Sequence, residues 1–492
     1  MLEKVMARTS EYIASMPKEI RKKYGQFFTG IKTARFMAGI FDVSPVQEHI
    51  SILDPGSGSG ILACALVERL EKIDEIKTIK ITCYENDSRI IKILKENLQL
   101  CKAMSSKNID IEIIEDNYIL AQSMEFNFRD SNAEKFDFII ANPPYMKISK
   151  AAEEAAAMPT VCYGTPNLYF LFASMSLFNL RSDGEMVYIM PRSWTSGAYF
   201  TKFRKYLLSE GEIKHIHLFV SRDKVFEKEN VLQETMILKV KKNANHYGDV
   251  VITSSVSSND FLSLKKMSVA YDSVVSGEDK FIFLPTCEKE VDVLKKMKRW
   301  ENTLPSLGLR MKTGLTVDFR NYESLTDIPS NNTVPIFYSQ HLHNGLVQFP
   351  LAKGKEYIFT EKSGLLQQNK NYLFVKRFAS KEEPRRLQSA IYLAKTFSQY
   401  SKISTQNKIN FIDSDTCELS ECVVYGLYVL FNSTLYDTYY RILNGSTQVN
   451  STEINAMPVP CMDDIQNMGK RLMTLGDLSE RCCDKILEEY CG

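Results

Sequence analysis

The stretch ISILDPGSGSGILACALVERLEKI, Ile50–Ile73, decides the fold. An apolar, β-branched run ends at Asp54, glycines follow at Gly56, Gly58 and Gly60, and an apolar helical stretch opens at Ile61. A strand that passes through a glycine turn straight into a helix is the first half of a βαβ unit. The same rhythm continues outward with IKITCYEND, SRIIKILKENLQLCKAM, IDIEIIEDNYI and KFDFIIANPP, so that Ser51 to Glu234 alternates strand and helix. This predicts an α/β fold with a doubly wound, mostly parallel sheet, in which ligands bind beyond the carboxyl ends of the strands. Further on, NLYFLFASMSLFNL reads as a buried helix, GEMVYIMP as a strand stopped by proline, and IKHIHLFV and TMILKVKK as two more strands.

At 492 residues, with 44% apolar and 25% charged residues, the chain has the composition of globular protein and the length for more than one domain. A formal charge of +1 leaves a nucleic-acid partner open, because phosphate binding depends on where charges sit. No apolar run approaches the roughly 18 residues of a membrane helix, and the first residues show no signal-peptide core, so a cytoplasmic location is expected. The eleven cysteines show no C-x-x-C pair and no metal-ligand spacing with His, and read as reduced thiols without a metal. The Ser-rich stretch VITSSVSSNDFLSLKK breaks the pattern. The expected domains are therefore residues 1–245 and 246–492.

The strand exits carry the chemistry. At the first, Asp54 and the glycines Gly56, Gly58 and Gly60 let the backbone approach a ligand at a helix N-terminus. The spacing is G-x-G-x-G, and no Gly-Lys-Ser/Thr follows, so neither the dinucleotide fingerprint nor the P-loop applies. At the second, Glu85 can accept from both hydroxyls of a ribose, with Asn86 beside it, although alone it also suits a solvated strand-end acid. At the third, Asp116 can accept from the exocyclic amine of an adenine, with Asn117 and Tyr118 adjacent. Together they describe one site for an adenosine-containing cofactor.

The fourth exit is Asn142-Pro143-Pro144-Tyr145. The rigid prolines fix the Pro143 carbonyl, so that it and the Asn142 side-chain carbonyl can hold one substrate NH₂ group. Holding both amino protons frees a conjugated nitrogen to attack an electrophile, a form of electrostatic preorganisation. Tyr145 offers a flat face for a planar amide or base.

The pair Asp54-Pro-Gly-Ser-Gly-Ser-Gly60 and Asn142-Pro-Pro-Tyr145 resembles the motifs of gamma-group N6-adenine DNA methyltransferases of type II restriction–modification systems, and NGSTQVNSTEINAMPVP resembles the PstI/BsuBI-like subgroup. The Gly-Gln-Phe-Phe-Thr element before the glycine loop is similar to the group's N-terminal motif. That similarity implies that Phe28 and Thr29 lie at the methionine end of the cofactor S-adenosylmethionine; Gly30 replaces the usual proline. The resemblance implies a Rossmann-like class I methyltransferase domain followed by a mixed α+β target-recognition domain. It implies that Asn142 also borders the cofactor, and that no metal is used. The segment SRDKVFEKENVLQETMILKV is similar to the motif whose aromatic residue stacks on the extruded base. Phe226 fits that role opposite Tyr145, with Phe219 as its competitor.

The implied partner is double-stranded DNA carrying a specific short sequence, with a separate cognate restriction endonuclease as companion, and no membrane; monomer and dimer both remain open. Residues 351–390 hold nine Lys or Arg against four Asp or Glu with aromatics between them, which suits phosphate contact by Lys376, Arg377, Arg385 and Arg386. The same NPPY chemistry also serves RNA-adenine and protein-glutamine N5-methyltransferases. The long C-terminal region argues against the glutamine enzyme.

Overall fold

The computed structural model describes residues 1–15, 29–44, 47–130, 132–219, 235–243, 247–256, 260–261, 263–379, 383–444 and 447–490. Two compact units result, Met1–Thr286 and Cys287–Gly492.

The first unit is built on a nine-stranded sheet. In chain order its strands are β1 (His49–Pro55), β2 (Thr78–Tyr84), β3 (Asn108–Ile114), β4 (Phe136–Ala141), β5 (Leu180–Pro191), β6 (Gly211–Phe219), β7 (Thr235–Lys242), β8 (Val250–Ser255) and β9 (Lys265–Val269). Their spatial order is β3-β2-β1-β4-β5-β7-β6-β8-β9. The block from β3 to β5 is parallel throughout, and β7 runs antiparallel between β5 and β6. The central strands are buried on both faces, which is why their sequences are continuous apolar runs.

Helices cover those faces. Ile52, Ile81, Phe138 and Ile140 pack in one core with residues of the helices Leu2–Ser15, Ile31–Gly39, Ile61–Leu70 and Ser88–Met104. On Ser88–Met104 the buried side chains Ile90, Ile91, Leu94, Leu98 and Cys101 fall at helical spacing, and the Asp87 side chain caps the first turn by accepting from Arg89 N. The helix Leu168–Asn179 is buried along its whole length, as its sequence predicts. It joins β5 through Ser176 Oγ and Tyr188 Oη at 2.5 Å.

Register brings the exits together. Pro55 pairs with Tyr84 and Tyr84 with Ile114, while Leu53 pairs with Ile139, so β1 to β4 end along one edge of the sheet. The expected boundary at 245/246 is corrected by the sheet itself. The Ser-rich stretch opens as β8, which pairs in parallel with β6, and β9 follows antiparallel, so the first unit runs to Thr286. Thr253, Ser254 and Ser255 are buried in β8 between its two neighbouring strands, yet their residue types mimic a linker in composition.

The second unit mixes short strands and helices. A six-stranded sheet contains Tyr372–Lys376, Ser389–Tyr392 and Ile409–Ser414, and a five-stranded sheet contains Val334–Phe337 and Lys402–Thr405. Phe337, Tyr372, Phe374, Tyr392, Phe397 and Phe411 fill its core.

Candidate active site

The glycine turn is held from the neighbouring strand. Gly56 N and Ser57 N both donate to Tyr84 O at 2.9 Å, and Ser57 Oγ donates to Asp54 O. Gly60 has φ +77° and ends the turn at the start of the helix Ile61–Leu70. The positive φ favours glycine there, and a Cβ would also press on the Leu94 Cδ1 methyl at 2.8 Å. Gly56 and Gly58 line a cavity of about 440 Å³, whereas Gly60 and Asp54 lie behind it. Asp54 is 1% exposed, and its Oδ2 accepts from Ala63 N at 3.3 Å in the first turn of that helix. Burial, reinforced by the nearby Glu85 charge, pushes its pKa up to about 8.

Glu85 is buried at the cavity wall. Oε2 accepts from Gly58 N and Oε1 from Asp87 N, both at 2.9 Å, so this carboxylate ties the glycine turn to the end of β2. Burial raises its pKa against these stabilising donors. Asn86 is exposed and lines the cavity. Asp116 is exposed on the same wall. Asn117 lines the cavity as well and also caps a helix: its Oδ1 accepts from Ile119 N and Leu120 N, and its Nδ2 donates to Glu154 Oε1 at 3.0 Å. Glu154 and Phe172 also line the cavity without having stood out in the sequence. Glu154 sits in the alanine-rich run AAEEAAA, and Phe172 in a helix whose aromatics read as core.

The tetrad adjoins the same cavity. Asn142 and Pro144 line the same cavity, and Pro143 is buried. Asn142 Nδ2 donates to Thr29 Oγ1 at 3.1 Å across 113 positions of sequence, joining the N-terminal element to the tetrad. Thr29 itself lines the cavity. Tyr145 is half-buried; its hydroxyl donates to Ile189 O at 3.0 Å, and its ring meets Tyr169 edge-on at 6.3 Å. Phe28 and Phe226 lie outside the described residues. Phe219 is a core residue packed against His217 and Phe261, which removes it as a competitor for base stacking.

The cavity suits S-adenosylmethionine in size and chemistry. Its volume falls in the usual ligand-site range. Glu85 and Asp116 supply carboxylate acceptors, Ile90, Leu62 and Phe172 supply apolar faces, and the glycine turn supplies backbone that can approach closely.

In the second unit the basic stretch divides. Lys376 and Arg385 border a cavity of about 540 Å³ with His343, Asn344 and Gln388. Arg377 donates to Asn407 O and Gln448 Oε1. Arg386 is 0% exposed and lies over the Tyr440 ring at 5.6 Å, so the structure places it in the interior and not on a phosphate-contacting surface. Of the interleaved aromatics, Tyr357, Tyr372 and Phe374 are core, while Phe359 and Phe378 are exposed.

Residues 66–226 match the sequence model of the Eco57I restriction-modification methylase family. The chain is 33% identical over 485 residues to the type II methyltransferase M.PstI of Providencia stuartii, covering 97% of this chain and 94% of that protein. It is 34% identical over 480 residues to the type II methyltransferase M.BsuBI of Bacillus subtilis, covering 95% and 94%. A solved nuclease-deletion mutant of the Type ISP restriction-modification enzyme LlaGI, in complex with a DNA substrate mimic, shares the fold with a TM-score of 0.51. Its identity is 12%, over 91% of this chain and 54% of that one. Identity of this extent along nearly the whole length, together with the glycine-turn cavity and the tetrad at one sheet edge, shows that the chain belongs to the type II restriction–modification methyltransferases of the M.PstI and M.BsuBI subgroup.

Proposed function

We propose that this site-specific DNA methyltransferase modifies N6 of an adenine extruded from double-stranded DNA, within a bacterial restriction–modification system. The observation that carries the reading is the Asn142–Pro143–Pro144–Tyr145 tetrad at the exit of β4, with Asn142 on the wall of the cofactor cavity.

S-adenosylmethionine, when bound, supplies a sulfonium methyl as electrophile. Glu85, Asp116 and the Gly56–Gly58 turn hold it. The bond from Asn142 Nδ2 to Thr29 Oγ1 orients the amide so that Oδ1 is its accepting end. Oδ1 and the Pro143 carbonyl then accept hydrogen bonds from the two N6–H groups, which turns the nitrogen lone pair out of conjugation and needs no charged base. Tyr145, anchored through Ile189 O, covers one face of the base, and Phe226 is the proposed cover on the other. Lys376 and Arg385, at the edge of the second unit's cavity, and Arg377 are proposed phosphate contacts. The 286/287 division supports a catalytic unit followed by a target-recognition unit. A cytoplasmic enzyme acting beside a separate endonuclease fits the family. Among the described residues no helix is long and apolar enough to cross a membrane.

The test is transfer of labelled methyl to unmethylated genomic DNA, RNA and protein, followed by mapping of modified bases. Label on adenine N6 at one short recurring sequence is expected. Label confined to RNA or protein, or placed on cytosine, would overturn the reading.

A further inference from the structure

The chain leaves the tetrad as a strap. Lys147 bridges Asn167, Ile148 N donates to Pro166 O at 3.0 Å, and Leu168 N donates to Met146 O at 2.9 Å, so residues 147–167 return to the place where they left. Near the returning end of the strap Gly164, with φ +73°, lies under the Tyr199 ring. A Cβ on Gly164 would stand 2.1 Å from Tyr199 Cδ1, so the ring rests directly on the backbone. Despite that contact Tyr199 is 59% exposed and the adjacent Tyr163 56%. Among the described residues neither hydroxyl has a hydrogen-bond partner.

This surface is tied to the tetrad. Tyr145 meets Tyr169 at 6.3 Å, and Tyr169 meets Phe200, the neighbour of Tyr199, at 5.9 Å. Lys202 Nζ reaches the strap at Pro159 O, 3.3 Å away, and is exposed, as is Lys147 directly after Met146. The segment 192–205 contains Arg192, Lys202, Arg204 and Lys205 and no acidic residue. Arg204 is spent internally on the Trp194 and Gly197 carbonyls. On the strap, Glu154 is held by Asn117 at the cofactor cavity, which leaves Glu153 as its exposed acid.

We propose that Tyr163, Tyr199, Lys147 and Lys202 form the surface on which the catalytic unit holds the sugar–phosphate backbone of double-stranded DNA beside the target nucleotide. Phenol hydroxyls and ammonium groups are ordinary donors to phosphate oxygens, and the ring chain fixes their distance from the tetrad. The proposal rests on the DNA-methylating reading above and adds a grip in the first unit that is independent of the second unit's basic residues.

The test compares the full chain with Tyr163→Phe/Tyr199→Phe, which keeps the Gly164 contact, and with Lys147→Gln/Lys202→Gln. Binding to a duplex of mixed sequence is measured across a salt series, alongside S-adenosylmethionine binding and thermal melting. The expected result is duplex binding several-fold weaker in each pair, with cofactor binding and melting unchanged. The salt slope of the lysine pair should fall by about two, one for each phosphate that is no longer neutralised. Wild-type duplex affinity and salt slope in both pairs, in an enzyme that still labels DNA, would overturn the surface and leave the DNA reading standing. A wild-type chain that labels only RNA or protein would overturn both.

Discussion

Asn142 and Glu85 line one cavity and are expected to fail differently. Asn142→Ala removes an acceptor for the target amine, and loss of such a preorganised polar group costs about a hundredfold or more in turnover. Cofactor affinity should stay near wild type, since Gly58, Glu85 and Asp116 are untouched; equilibrium binding beside steady-state rates checks both. Glu85→Gln trades a carboxylate that accepts from Gly58 N and Asp87 N for an amide that can accept through one oxygen only. Hydrogen bonds to charged groups contribute about 1.5–3 kcal/mol, so cofactor binding should weaken tenfold or more before turnover suffers. Asp54 behaves differently again. Burial raises its pKa from 3.8 to about 8, so its protonated form stabilises the fold below about pH 4, and that contribution is lost as pH rises through about 8. Asp54→Asn keeps an acceptor for Ala63 N and cannot ionise. Its denaturation midpoint should therefore fall less steeply than that of the wild type between pH 4 and 8, which denaturant titration along a pH series measures.

Among the elements, the strand exits were legible because a parallel strand buried on both faces has to be apolar and has to end in a turn. Glu85, Asp116 and Asn142 stand out as polar groups after apolar runs. What bonds they make was not legible. Asn117 adjoins Asp116 in sequence, yet its side chain caps the helix Tyr118–Ala121, a use that depends on local backbone geometry. Asp137 shows the opposite case, a polar residue inside strand β4 that sequence pattern passes over. It is 7% exposed; its Oδ2 accepts from Ser51 N at 2.8 Å and Ser51 Oγ at 2.7 Å, and Arg181 pairs with it at 2.9 Å. These bonds clamp the start of β4 to β1. Asp137→Ala strands the Ser51 donors in a buried site, and should cost about 1–3 kcal/mol of stability, read as a lower denaturation midpoint. The basic stretch of the second unit misleads for a related reason. Composition counts Arg386 as a surface cation, but its backbone N donates to Asp437 Oδ1 and its side chain fills the interior.

For the molecule as a whole, the ten described cysteines are free thiols, several of them deep in the first unit's core at Cys64, Cys83 and Cys101. Stability therefore comes from packing, and the melting temperature should be the same with and without a reductant, as calorimetry would show. Sequence by itself determined the parallel sheet, the four chemical exits and the methyltransferase family. Each of these rests on periodicity or on a few adjacent residues, and both are written locally in the chain. Tertiary structure alone decided where the first unit ends, because β8 and the edge strand β9 are recognised only by what they pair with. It alone brought Thr29 to Asn142, Glu154 to Asn117 and Tyr199 to Gly164. Contacts across such separations depend on how elements pack, and no local pattern of residues encodes them.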